Sequence, residues 1–198
     1  MYVASTFAMM DQKLENAIRK ISDLTEEELS LLMGNVEKRH LQKGDKLLKA
    51  GEVCRALYLV DTGYLRTWYD KDGSIINLNF TMEGDFAANL KSSKSKLPSE
   101  VNIEAGENAD VWVFSLDGIR ASAKSNTQLA VFTRRLAIRL LLASEEHSEL
   151  FKIYTATERY RYIEKNRPNL LQRISLSQMA SYLGVTRETL SRIRAKTY

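Results

Sequence analysis

The sequence of 198 residues has few of the residues that build covalent or metal-based frameworks. Its single cysteine, Cys54, excludes an intrachain disulfide, a zinc cluster of several thiolates and a four-cysteine iron-sulfur site. Its two histidines, His40 and His147, are too few for a three-histidine metal site. We interpret Cys54 as a small apolar filler of the core and His147 as a polar residue of a helix seam, so we expect no metal site.

Long apolar runs are equally scarce. The longest strongly apolar stretch, residues 140–143, is far shorter than the roughly 18 residues that span a bilayer, and the N-terminus lacks the basic and apolar regions of a signal peptide. We therefore expect a cytoplasmic protein without a membrane partner. A content of 44% hydrophobic and 27% charged residues is typical of a globular chain, and the length fits one or two domains, of which we favour two.

Charge is distributed unevenly along the chain. Residues 155–198 carry nine Lys and Arg side chains against three acidic ones, a net charge of +6, whereas residues 1–154 carry a net charge of −2. A basic segment of this kind is typical of a region that meets a polyanion, although a solvated basic face has the same composition. We therefore expect the two parts of the chain to have different tasks.

The stretch before residue 118 has the pattern of a β domain. Five glycines at intervals of 7 to 12 residues separate short apolar runs: Gly44, Gly51, Gly63, Gly73 and Gly84. Regular short strands with turn signals predict an all-β sandwich or barrel, and Asp72-Gly73 predicts a tight hairpin. Residues 85–99 form the one long interruption, which we interpret as a candidate ligand site because long loops in compact β domains are usually functional or mobile. Within it, we expect residues 92–96 to be a mobile, solvated loop.

After Gly118 the pattern is helical. Apolar residues at spacings of three and four over about 25 residues predict a long helix with a coiled-coil face. This stripe consists of Leu129, Phe132, Leu136, Leu140, Ala143, His147, Leu150 and Tyr154. We prefer a dimer seam, because the stripe is longer than a small β domain needs; a helix lying on its own β domain has the same pattern. A further helix over residues 155–166 is expected to end before Pro168.

The last part of the sequence predicts two short helices joined by a tight turn. Ser175 and Gln178 form a capping box that starts the first helix. Gly184 provides a left-handed residue for the turn, and Thr186 caps the second helix. The buried faces are assigned to Met179, Ala180, Leu183, Leu190 and Ile193. Two helices connected in this way form a helix-turn-helix.

The second of these helices, residues 187–196, carries polar side chains suited to the major groove of DNA. Arg makes bidentate contacts with guanine, and Glu accepts a hydrogen bond from the cytosine amino group. The candidate DNA-binding residues are Ser175, Thr186, Arg187, Glu188, Ser191, Arg192, Arg194 and Lys196. A helical hairpin that serves only in packing has the same sequence pattern, but the basic outer face favours the interpretation as a DNA-binding helix.

The chain resembles the Crp-Fnr family of transcription regulators. The similarity covers most of the chain and rests on the recognition-helix run Thr186-Arg187-Glu188-Thr189-Leu190-Ser191-Arg192-Ile193 and on segments 50–52, 57–60, 63–65 and 83–86. The resemblance implies an α+β architecture: an N-terminal jelly-roll (double-stranded β-helix) domain of the cyclic nucleotide-binding type, a long dimerisation helix and a winged helix-turn-helix. The corresponding domains are residues 1–120, 121–154 and 155–198. It also implies an effector site, for which the candidates are Gly84, Asp85, Phe86, Asn89 and Ser99.

The sequence departs from the family pattern in two places. Members that bind cyclic AMP pair its phosphate with an arginine, whereas residues 85–105 contain no arginine and Pro98-Ser99-Glu100 lies near the expected position. We therefore expect an unidentified effector that is not bound in the cyclic AMP manner, and no cofactor is evident. The chain ends at Tyr198 directly after the recognition helix, so any wing is expected to be abbreviated or to come from before residue 174.

These observations predict a homodimeric, sequence-specific regulator that binds double-stranded DNA, and the resemblance implies RNA polymerase as a further partner. The alternative is a ligand-binding β-roll that signals to a protein partner without DNA. A cupin-like metal oxygenase would need ligands that two histidines more than 100 residues apart do not supply. Because no phosphate loop or nucleophile motif is visible either, we expect no catalytic residues and no enzyme activity.

Overall fold

The computed structural model describes residues 12–34 and 36–197. The strands are β1 (Val36–Leu41), β2 (Lys46–Leu48), β3 (Ala56–Thr62), β4 (Leu65–Lys71), β5 (Ser74–Thr81), β6 (Phe86–Ala87), β7 (Val101–Ala105) and β8 (Ala109–Ser115). The helices are α1 (Gln12–Arg19), α2 (Glu26–Met33), α3 (Leu90–Ser95), α4 (Leu116–Ser125), α5 (Thr127–Ile153), α6 (Ala156–Asn166), α7 (Pro168–Arg173), α8 (Leu176–Tyr182) and α9 (Arg187–Thr197). None of the helices in this described part is long and apolar enough to cross a membrane.

The strands form a jelly roll of two four-stranded antiparallel sheets. The first sheet has the order β1-β8-β3-β6 and the second the order β2-β7-β4-β5, so β5 lies at an edge. The predicted hairpin is present between β4 and β5, where Asp72 and Gly73 both have positive φ angles of 53° and 84°. A turn with positive φ at both central residues has a twist that matches the right-handed twist of the two strands, as expected for an Asp-Gly pair. The prediction of a β domain followed by helices is confirmed.

Burial on both faces explains the unbroken apolar run in strand β3. Tyr58 and Val60 belong to the core inside the roll. Leu57 and Leu59 belong to a second core, on the outside of the first sheet, to which helices α1, α2 and α5 contribute. Helices therefore cover the outside of the first sheet, and the outside of the second sheet is left for another part of the chain.

The interruption at residues 85–99 is not a loop. It contains strand β6 and helix α3, which Asn89 caps: the Asn89 side chain accepts a hydrogen bond from the backbone amide of Ser92. The expectation of a mobile, solvated loop at residues 92–96 is wrong, because Ser92 and Ser93 are buried. The Ser92 hydroxyl accepts a hydrogen bond from the Cys54 amide at 3.0 Å and donates to the Leu97 carbonyl at 2.6 Å. A serine-rich run looks solvated in a sequence, but here its hydroxyls satisfy buried backbone groups.

The long helix α5 begins later than the sequence suggests. Asn126 ends α4 and caps α5, and the boundary expected at residue 120 falls inside α4. Leu129, Phe132 and Leu136 are buried in the core of the same chain, together with residues of α1 and β3. The dimer-seam interpretation is therefore wrong for the first half of the stripe, where the alternative of a helix lying on its own β domain is correct.

The C-terminal helices follow their sequence signals closely. The predicted capping box at Ser175 starts α8, and a second capping box, at Thr155, starts the helix α6 that was predicted over residues 155–166. Pro168 is the first residue of α7, a helix that the sequence analysis did not predict; proline suits this position because it lacks an amide hydrogen that would otherwise be unpaired. Among residues 12–34 and 36–197, no strand follows β8, so the expected wing has no counterpart after residue 115.

The helix-turn-helix packs on the outside of the second sheet. Phe80 of β5 is fully buried between two tyrosines, with its ring centroid 6.0 Å from that of Tyr64 and 5.3 Å from that of Tyr182 of α8, both edge to face. Tyr160 and Leu170 of the preceding helices complete this third core. The β domain and the C-terminal helices thus share one apolar cluster.

Candidate nucleic-acid interface and effector site

The turn between α8 and α9 is fixed by local geometry. Gly184 has a φ of +65°, and a Cβ at this position would lie 2.7 Å from a ring carbon of Phe151. The Val185 amide donates to the Ala180 carbonyl at 3.0 Å, which closes the end of α8. The glycine therefore serves two purposes, since it allows the left-handed turn and leaves room for a ring of α5.

Burial of one side of α9 determines which residues point outward. Leu190 and Ile193 are buried against α8, as predicted from the sequence. The exposed polar residues of this segment are Thr186, Arg187, Glu188, Ser191, Arg192, Arg194 and Lys196, which include every predicted DNA contact of this helix. Ser175 is also exposed at the start of α8, although its hydroxyl already accepts a hydrogen bond from the Gln178 amide at 3.2 Å.

Hydroxyl groups organise the first turn of α9. The Thr186 hydroxyl caps the helix by accepting from the Thr189 amide at 3.2 Å, and it lies in a hydrogen bond with the Thr189 hydroxyl at 3.1 Å. The Arg192 guanidinium donates to the same Thr189 hydroxyl at 3.2 Å. The pKa of Glu188 is lowered because its carboxylate accepts from its own amide and from Thr186. Sequence reasoning missed Thr189, although its spacing of three from both Thr186 and Arg192 signals such contacts.

Helix α8 is tied to the backbone of edge strand β5. The Ser181 hydroxyl accepts from the Asn77 amide at 3.0 Å and donates to the Ile75 carbonyl at 2.8 Å. The Asn77 side-chain amide donates to the Gln178 carbonyl at 3.3 Å. One serine thus satisfies two edge groups that would otherwise need a neighbouring strand or water.

Two arginines extend this contact. Arg167 donates to the Phe80 carbonyl at 2.7 Å and to the Tyr182 hydroxyl at 3.3 Å. Arg173 forms ion pairs with Glu83, at 2.9 Å, and with Glu107. Burial alone would raise the pKa of Glu83, but the hydrogen bond and charge of Arg173, together with backbone hydrogen bonds at Glu83 and Gly63, outweigh burial and lower that pKa. Basic residues that the sequence analysis counted toward DNA therefore hold the two domains together.

His147 lies at the junction of α5 and α8. Its ring is stacked on Tyr182 with a centroid distance of 4.6 Å and meets Phe151 edge-on at 5.1 Å. Burial lowers its pKa from 6.5, and the charges of Arg167 and Arg159 lower it further, against a hydrogen bond to the Tyr182 backbone that raises it. The folded protein therefore holds His147 neutral at a pH where the unfolded chain would protonate it.

A loss of stability in mild acid should follow from this histidine. Because the folded pKa of His147 is depressed, the unfolded state takes up the proton first, and the free energy of unfolding should fall as the pH decreases below about 6.5. Urea denaturation at several pH values between about 7.5 and 5.5 measures this slope. The variant His147→Phe keeps an aromatic ring against Tyr182 and should have a shallower slope. Equal slopes for the two proteins would contradict the assignment.

The first part of the candidate effector segment is already engaged in the fold. Asp85 forms an ion pair with Arg139 of α5 at 2.9 Å. Phe86 belongs to the core between the first sheet and the helices, whereas its neighbour Ala87 belongs to the interior of the roll. Gly84 has a φ of +79°, and its amide donates to the Val60 carbonyl at 2.8 Å. These three positions shape the segment, and Asp85 links it to the long helix.

The other two effector candidates contact each other. The Asn89 side chain donates to the Ser99 hydroxyl at 2.8 Å, and that hydroxyl donates to the Val101 carbonyl at 2.7 Å. Glu100 is exposed and pairs with Lys91 at 3.5 Å. Within the described ranges, no three His, Cys, Asp or Glu side chains come close enough to hold a metal ion.

Comparisons with solved structures place the fold in a known class. A transcriptional regulator of the Crp/Fnr family from Eubacterium rectale is 22% identical, with a TM-score of 0.69 over 90% of this chain and 85% of that chain. FixK2 from Bradyrhizobium japonicum is 22% identical, with a TM-score of 0.68 over 81% and 83%. The c-di-GMP-responsive regulator CLP from Xanthomonas campestris is 15% identical, with a TM-score of 0.67 over 87% and 91%. The chain therefore has the fold of the Crp/Fnr regulators.

A match at the level of sequence refines this placement. Residues 38–126 match the family model of the cyclic nucleotide-binding domain, which covers strands β2 to β8 and most of β1. A comparison with curated protein sequences gives no significant match. The β-roll is thus similar to cyclic nucleotide-binding domains, and Asn89 and Ser99, which contact each other, lie within the matched residues.

Proposed function

We propose that this protein is a cytoplasmic, sequence-specific DNA-binding transcription regulator without enzyme activity. The observation that carries the proposal is the outward face of α9, where Arg187, Glu188, Ser191 and Arg192 are exposed on a helix whose opposite side is anchored on α8. A helix held in this way fits the major groove, and these side chains match the hydrogen-bonding groups of guanine and cytosine. RNA polymerase is the further partner that this function implies.

The proposal includes a homodimer formed by a different face of α5 from the one that the stripe suggests. Three large apolar side chains point away from the chain's own cores, with exposures of 48%, 59% and 57%: Ile138, Leu141 and Leu142. Leu141 and Leu142 follow Ile138 by three and four residues, so all three lie on one side of the helix and form a strip. A second copy of the same helix is the occupant that fits, because a symmetric pair would present two recognition helices to a near-palindromic site.

The base-reading role of Arg187 has a measurable signature. The variant Arg187→Ala should lose about 1 to 3 kcal/mol of binding free energy per half-site and relax the preference at one base pair, because a bidentate contact to guanine is removed. Selection from random duplexes gives the preferred sequence, and titration of that duplex gives the affinity.

Lys196 provides the matched control on the same helix. It is exposed and assigned to phosphate, so Lys196→Ala should weaken binding to all duplexes alike and reduce the salt slope by about one unit. If the wild-type protein enriches no near-palindromic duplex, or if Arg187→Ala leaves the selected motif unchanged, the DNA-binding function is wrong. The β-roll would then be a sensor that signals to a protein partner, which is the second candidate.

We also propose that the β-roll responds to an effector that is not bound in the cyclic AMP manner. Support comes from residues 85–105, which contain no arginine of their own and in which the exposed carboxylate of Glu100 follows Ser99. The division of tasks among residues 1–120, 121–154 and 155–198 is also a proposal, and its first boundary lies within α4.

A further inference from the structure

The first turn of α9 contains a contact that bears on how the protein reads DNA. We propose that Thr189 is a positioning residue that presets the Arg192 guanidinium for base reading, an inference that rests on the proposed DNA-binding function. The Thr189 hydroxyl accepts a hydrogen bond from Arg192 Nη2 at 3.2 Å and lies 3.1 Å from the Thr186 hydroxyl. Thr186, which caps the helix, is thus linked through the Thr189 hydroxyl to Arg192, and the three residues follow one another at intervals of three along one side of the helix.

Thr189 is well suited to hold an arginine in place. It is half-buried, whereas Arg192 is exposed, so packing holds the acceptor in place but does not fix the arginine side chain that donates to it. A β-branched side chain in a helix has few χ1 rotamers, and the contact with Thr186 restricts the hydroxyl further. The backbone of α9 therefore determines where the acceptor lies, and the acceptor determines where the guanidinium points.

The contact leaves Arg192 able to read a base. A guanidinium has five N–H groups, and the bond to Thr189 uses one of them. The remaining donors suffice for a bidentate contact with O6 and N7 of guanine. Part of the rotamer freedom that a long arginine side chain must give up on binding is already lost in the free protein.

The second base-reading arginine offers a contrast. Within the described residues, no hydrogen bond involves the Arg187 side chain, which is exposed at the start of the helix. In the protein without DNA, the Arg192 side chain is therefore expected to be more ordered than the Arg187 side chain. Removal of the Thr189 hydroxyl should affect the base pair read by Arg192 and spare the one read by Arg187.

The variant Thr189→Val tests this role with little other change. Valine keeps the β-branched shape, and the backbone amide of residue 189 still donates to the Thr186 cap, so the melting temperature should stay within about 2 °C. Affinity for the selected duplex should fall about 3- to 10-fold per half-site, the loss expected for one hydrogen bond, and affinity for an unrelated duplex should not change. Thr189→Ser, which retains the hydroxyl, should restore the affinity to within about twofold of the wild type.

A double-mutant cycle separates positioning from a direct contact of Thr189 with phosphate. In an Arg192→Ala background, Thr189→Val should have no further effect, because the group that it positions is gone. If Thr189→Val weakens binding to every duplex, and does so equally in the Arg192→Ala background, the positioning role is overturned. A wild type that selects a near-palindrome with an affinity insensitive to Thr189→Val overturns the positioning role alone. A wild type that selects no duplex overturns the proposed function and this inference together.

Discussion

Replacing both Ile138 and Leu142 with Asp should convert the protein from a dimer to a monomer. The two side chains are exposed in the single chain, so the substitutions leave its own cores intact. In a dimer through α5 they would be buried, and four carboxylates in an apolar strip would cost several kcal/mol, or about 100-fold or more in the dissociation constant. Light scattering at micromolar concentration measures the change, and the helical circular dichroism signal should stay the same.

Two controls define what this result means. Leu97→Asp changes a leucine that is 63% exposed on the β domain and should leave the dimer intact. Leu136→Asp changes a residue that is 5% exposed in the core of the same chain and should unfold the protein instead of splitting it. A wild-type protein that is monomeric at micromolar concentration would show that the strip on α5 serves another purpose.

Replacing Phe80 with Ala should produce the largest loss of stability among single changes at the domain contact. The ring is fully buried between Tyr64 and Tyr182, and truncation of such a phenylalanine costs about 3 to 5 kcal/mol. Because the ring comes from the β domain and one of its neighbours from α8, the loss should also free the helix-turn-helix. Chemical denaturation gives the free energy, and hydrogen-deuterium exchange of α8 should rise before global unfolding.

Phe114→Ala is the matched control for this experiment. Phe114 is also fully buried, but it lies in the core between the first sheet and the helices. It should cost a similar free energy without a selective rise of exchange in α8. If the two variants change exchange in α8 equally, Phe80 has no special part in docking the domains.

Features that depend on neighbours in the sequence could be predicted from it. The capping box at Ser175, the Asp72-Gly73 hairpin and the turn at Gly184 all arise from interactions within a few residues. The inner face of α9 followed from helical spacing alone. For the same reason, every predicted DNA contact of that helix lies on its exposed side.

Features that depend on distant parts of the chain could not be predicted in this way. A helical stripe reveals which residues are buried but not what buries them, and α5 has apolar residues on two faces, at Leu136 and at Leu142. The contact between Asn77 and Ser181 joins residues 104 positions apart through a hydroxyl and backbone groups, for which a sequence has no periodic signal. Sites built from such contacts are found only when the chain is folded.

The contact of Ser181 with strand β5 also bears on solubility. A sheet edge with free amide and carbonyl groups is a template on which another chain can add a strand, and β5 exposes Ile75 and Leu78 along that edge. While α8 is docked, its serine occupies the edge groups at Ile75 and Asn77 and keeps such a partner out. If the helix-turn-helix separated from the sheet, this edge would be free to pair with another chain. The contact that positions the helix-turn-helix therefore also protects the protein against aggregation through its sheet edge.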